Sequence, residues 1–134
     1  MRLTINQQRV LTTLQQASRP LSAYTVLQSL KNEGLKAPTQ IYRALGQLAE
    51  HGLVHRLESL NAYVPCASAS PCKDDLRAFA ICDSCRQVDE FIVPSLNKFL
   101  GGWMKRNVFS LGSSTIELHG KCAVCSRLET PGDS

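Results

Sequence analysis

The sequence predicts an α+β protein built in two parts, a helical half followed by a small mixed half. Three observations predict it. Helix-spaced apolar residues fill the first fifty positions; short β-patterned runs follow; and all six cysteines lie at or beyond position 66. At 134 residues the chain suits one ordinary domain or two very small ones. Its 43% hydrophobic and 19% charged content excludes disordered and collagen-like classes. No apolar run reaches the roughly 20 residues of a membrane helix, and no signal-peptide core opens the chain. The expected location is the cytoplasm.

The first helix carries Val10, Leu11, Leu14 and Ala17 on one face and stops before Pro20. Ser22 is the N-cap of a second, in which Ala23, Val26, Leu27 and Leu30 recur at helical spacing until Gly34 ends it. Pro38 opens a third, with Ile41, Ala44, Leu45 and Leu48 turned inward and Gly52 closing it. Residues 53–57 and 62–64 read as a hairpin around the polar turn Glu58-Ser59-Leu60-Asn61. Three helices and a hairpin make a winged helix-turn-helix over residues 1–65.

Residues 66–77, rich in Ala, Ser, Pro and Cys, are read as a connector. Beyond it, 77–81 and 87–92 are strands around a Cys-x-x-Cys turn. Pro94 opens a helix with Leu96, Phe99, Leu100 and Trp103 on one face, and 115–118 is a further strand. A unit over 78–128 is too small to bury a large core, so a metal staple and a partner subunit are expected. Residues 129–134 are expected to be a disordered tail.

Charge separates the halves as well. Residues 1–65 hold seven basic and three acidic side chains, whereas 66–134 hold eight of each. The excess positive charge therefore sits with the helices, as a polyanion-facing half requires. On the third helix the outward residues are Thr39, Gln40, Tyr42, Arg43 and Gln47. Arg43 can bridge guanine O6 and N7, and Tyr42 or Thr39 can meet a thymine methyl or a phosphate, so this is the predicted DNA-reading helix.

Cys82-x-x-Cys85 and Cys122-x-x-Cys125 are two knuckles, each a tight turn aiming two sulfurs at one point. Together they supply the closed tetrahedron of a structural zinc. No coordination position is left for water and no paired acid and base is visible, so an enzyme is not expected.

The runs Ser22-Ala-Tyr24, Ala37-Pro-Thr-Gln-Ile-Tyr-Arg-Ala-Leu45, Val54-His55-Arg-Leu-Glu-Ser59, Ala80-Ile-Cys-Asp-Ser-Cys85 and His119-Gly-Lys-Cys-Ala-Val-Cys125 resemble the ferric uptake regulator family, and within it the zinc uptake regulators. The likeness runs from Leu3 to Cys125. It implies a dimeric, metal-activated repressor of zinc-import genes that binds palindromic operator DNA, with Tyr24 beside the reading helix among the DNA contacts. It also implies a second, sensing zinc held by a wing His, a Cys ending the wing, a connector His and a Glu past the first knuckle. His55, Cys66 and Glu90 match three of these. The connector position falls near Asp75, where no His stands, leaving Asp75, Cys72 or Asp74 as the fourth ligand.

A thiolate, an imidazole and carboxylates favour zinc over iron or manganese. Two rivals stay open on the same fold: Cys66 and Cys72 as an oxidant-sensing thiol pair, and a constitutive DNA binder with the structural zinc alone. His119 is read as support for the second knuckle. Two departures from the family, Gln7 where Arg is usual and the lack of a preceding helix, predict weaker DNA binding per domain.

Overall fold

The computed structural model describes residues 2–35, 37–66, 76–112 and 114–129. Asp74, Asp75 and Cys72 lie outside them. The chain divides into two compact units, Met1–Lys73 and Asp74–Ser134.

In the first unit, α1 spans Ile5–Gln16, α2 Ala23–Leu30 and α3 Pro38–Glu50. Thr4 starts α1 through a reciprocal cap. Its hydroxyl accepts the Gln7 N–H at 3.1 Å, and Gln7 Oε1 accepts the Thr4 N–H at 3.0 Å. The helix ends at Gln16, so Ala17 is its C-cap rather than part of the apolar stripe. Ser22 caps α2 by accepting the Thr25 N–H at 3.1 Å. A 3₁₀ turn over Lys31–Glu33 follows, and Gly34 turns the chain at φ 94°, a left-handed conformation that glycine adopts without strain.

Strands β1 (Val54–Leu57) and β2 (Ala62–Pro65) form the wing, with His55 opposite Val64. Leu21 adds a bridge to Tyr63 on the far side of β2, exchanging N–H and C=O at 3.0 and 2.8 Å. Val10, Leu14, Val26, Ile41, Leu45, Leu48 and Val54 are almost wholly withdrawn from water in one shared core.

The second unit is built on a three-stranded sheet in the order β4-β3-β5, with β3 Ala78–Cys82, β4 Val88–Phe91 and β5 Ile116–Gly120. β3 is antiparallel to β4 and parallel to β5, the crossover carrying α4 (Pro94–Arg106). Only Ala78, Phe79, Ile81 and Cys82 are fully buried among its described residues.

Helix α4 corrects the expectation of a single apolar face. Leu96, Leu100 and Met104 are half-buried, whereas Phe99 is 71% and Trp103 47% exposed. The two sets form adjacent i, i+4 stripes, and one sheet can cover only one of them. Trp103 instead meets Phe109 edge-on, ring centroids 5.6 Å apart. Residues 123–129 form a fifth helix, α5, absent from the sequence reading, so Glu129 is helical rather than the first residue of a tail.

Candidate metal centres and nucleic-acid interface

The tetrathiol centre follows from strand register. Cys82 ends β3 and Cys85 closes the turn toward β4. Parallel pairing sets Cys82 beside Gly120, which delivers Cys122 to the same end of the sheet, and α5 returns Cys125. The Asp83 N–H donates to the Gly120 carbonyl at 2.8 Å, pinning the first turn to β5. The four sulfurs lie within 4.8 Å of one another, with Cys85 and Cys122 Sγ 3.9 Å apart. A zinc tetrahedron with bonds of about 2.3 Å separates its sulfurs by about 3.8 Å, so the residues fit the ion.

Acidity points the same way. The Cys85 N–H approaches Cys82 Sγ at 3.4 Å, and backbone donors hold the Cys82 thiol low, at about 6. Hydrogen bonds to the neighbouring thiols, Cys122 first, push Cys125 up to about 12. Four thiolates in one pocket repel each other, and a dication removes the conflict. His119, expected to support the second knuckle, also meets the first: its Nδ1 lies 3.2 Å from Asp83 Oδ1.

The wing carries a second donor pair. The Cys66 N–H donates to the Leu53 carbonyl at 2.9 Å, extending the hairpin by one residue pair. Alternation along both strands then puts His55 and Cys66 on one face as diagonal neighbours, a ring nitrogen and the sulfur within 4.8 Å. Cys66 stands in a disulfide, whereas Cys82, Cys85, Cys122 and Cys125 are free thiols. Glu90, on β4, is matched with Phe79 across the sheet and lies 3.6 Å from the Arg77 guanidinium.

On α3, Thr39, Gln40, Arg43 and Gln47 are exposed, as is Tyr42 at 58%; on α2, Tyr24 is 68% exposed. Gln40 has a second task, its Oε1 accepting the Ala37 N–H at 3.3 Å where α3 begins. Gln7 is buried and donates to Gln47 Oε1 at 2.7 Å, tying α1 to α3. The residue that stands where the family usually has Arg is therefore an interhelical strut. A polar pair 40 positions apart leaves no periodic signal by which the sequence could have disclosed it.

A winged helix joined to an α/β unit with a tetrathiol centre defines a metalloregulator architecture. The sequence profile of the Ferric uptake regulator family matches residues 1–119. The chain belongs to that family. It is 34% identical over 129 residues to the zinc uptake regulation protein of Escherichia coli (strain K12), covering 96% of this chain and 75% of that protein. Among solved structures, holo XcZur superposes with a TM-score of 0.85 at 34% identity, covering 95% of this chain and 88% of the other. A zinc uptake regulator complexed with zinc and DNA superposes at 0.86 with the same identity, covering 96% and 86%. The Helicobacter pylori ferric uptake regulator, 18% identical with a TM-score of 0.58, shares the fold.

Proposed function

We propose that this chain is a zinc-responsive repressor that binds palindromic operator DNA as a homodimer and controls zinc uptake genes. The observation that carries the reading is near-full-length similarity, at 34% identity, to a zinc uptake regulator bound to zinc and DNA. No helix among the described residues is long and apolar enough to cross a membrane, in keeping with a cytoplasmic regulator.

Cys82, Cys85, Cys122 and Cys125 hold the structural zinc. A second, regulatory zinc per chain takes His55, Cys66 as a thiolate, Glu90 and a connector ligand, Asp75 or Cys72. The His55–Cys66 approach on the wing supports this set, and a nitrogen, a sulfur and carboxylates suit zinc. Zinc there supplies a crosslink whose ligands come from both sides of the connector. It favours the arrangement in which two α3 helices enter successive major grooves, about 34 Å apart. Arg43, Tyr42, Thr39 and Gln40 face the bases or phosphates, with Tyr24 beside them. Exposed Phe99, Trp103, Val108 and Phe109 supply the apolar surface for a second copy.

The test is a fluorescence-anisotropy titration of a palindromic duplex at rising free zinc, with the tetrathiol site already filled. Binding should switch on as the second zinc enters. Unchanged binding without that zinc would refute the switch. The disulfide at Cys66 favours one second reading, in which peroxide joins Cys66 to Cys72 and releases DNA. In that case the Cys72→Ser variant stays bound under peroxide.

A further inference from the structure

Arg77 precedes β3 by one residue and shares a sheet face with Phe79, two positions on. Phe79 is directly opposite Glu90, so the guanidinium reaches Glu90 along the diagonal of the strand pair. Arg77 Nη1 stands 3.6 Å from Glu90 Oε2, with side chains only 14% and 6% exposed. Water and salt screen a pair this shielded far less than a surface pair. The separation is nevertheless too long for a hydrogen bond, and the buried Arg77 Nε has no partner. Arg77 therefore gives Glu90 a positive charge without fixing the orientation of its carboxylate.

We propose that Arg77 is an internal counter-cation that competes with zinc for Glu90, setting the free-zinc level at which the regulatory site fills. The inference rests on Glu90 being a ligand of that site. A dication entering there must draw the carboxylate from the guanidinium and accept a fixed positive charge nearby. Both effects oppose binding, and both vanish when the guanidinium is removed. A residue that merely oriented Glu90 would act with the opposite sign, since deleting an orienting partner weakens metal binding.

The experiment is a competition titration of zinc against a chromophoric chelator, using full-length reduced protein. Wild type should take up two zinc ions per chain. Arg77→Met should tighten the weaker site by about tenfold, the scale on which groups around metal ligands act, and leave the tighter site unchanged. Arg77→Lys, which keeps the charge, should restore near-wild-type affinity. Arg77→Met placed in a Glu90→Gln background should gain less than it does with Glu90 present, because only the direct charge repulsion is then relieved. The operator-binding midpoint should move to lower free zinc by the same factor. Unchanged or weaker binding in Arg77→Met, with two zincs still present in wild type, would overturn the competition alone. A single zinc per chain that survives Cys66→Ala would remove the regulatory site, and this inference with it.

Discussion

The two units solve the same stability problem by different means. The first buries Val10, Val26, Ile41, Leu45 and Leu48 completely around three helices and a wing. Among its described residues the second buries four, all on one strand, and leaves Phe99, Trp103, Val108 and Phe109 exposed. A short sheet with a half-covered helix cannot offset its own ordering entropy. The tetrathiol centre supplies the missing term at the end of the sheet. The contrast teaches that the first unit can fold on its own apolar core, whereas the second is the one expected to depend on a metal at its tetrathiol centre.

The largest effect that could break this comparison comes from Cys125→Ala. Structural zinc contributes about 10 kcal/mol of folding free energy, so the second unit should unfold while the first persists. Limited proteolysis should then yield a resistant fragment close to 1–73; cleavage of both halves alike would break the contrast. The same centre sets a pH dependence. Cys82 is held as thiolate down to about 6, whereas Cys125 keeps its proton up to about 12 until metal displaces it. Zinc entry must release that proton, so affinity falls as pH drops. Acidification should therefore release zinc, followed with a chromophoric chelator, and a zinc occupancy independent of pH would contradict this proton linkage.

Leu45→Ala should cost about 2–5 kcal/mol through the cavity it leaves, and the loss should be the same with and without zinc. Thermal unfolding of both forms checks it. The smallest effect is at the surface. Arg43→Ala should leave stability unchanged and cost about 1–3 kcal/mol of operator binding while relaxing preference at one base. Anisotropy with single-base operator variants separates this from a phosphate contact, whose loss weakens all sequences alike.

How much was legible in the sequence follows the same division. In the first unit, Ile41, Ala44, Leu45 and Leu48 were read as inward and are buried, and Ser22 was read as a cap and caps. A deep core enforces periodicity, so apolar spacing reports it faithfully. In the second unit spacing misled. Phe99 and Trp103 repeat at helical intervals, but no core behind them decides which stripe is covered. α5 escaped notice because it is only seven residues long and one of them is Cys125 of the tetrathiol centre, too few for an apolar period to show.

The tetrathiol centre was readable because knuckle spacing encodes the turn geometry directly. The His55–Cys66 approach depends on strand register instead, and the Gln7–Gln47 strut on helix packing. Arg77 and Glu90, thirteen positions apart, likewise meet only once β3 and β4 pair.

The most direct test of the contrast is hydrogen exchange on reduced full-length protein before and after chelation of all zinc. Amides of β3 and β5 should lose protection, while those of α3 from Ile41 to Leu48 keep theirs. Retained protection in β3 and β5 without metal, or collapse of α3 along with them, would contradict the account.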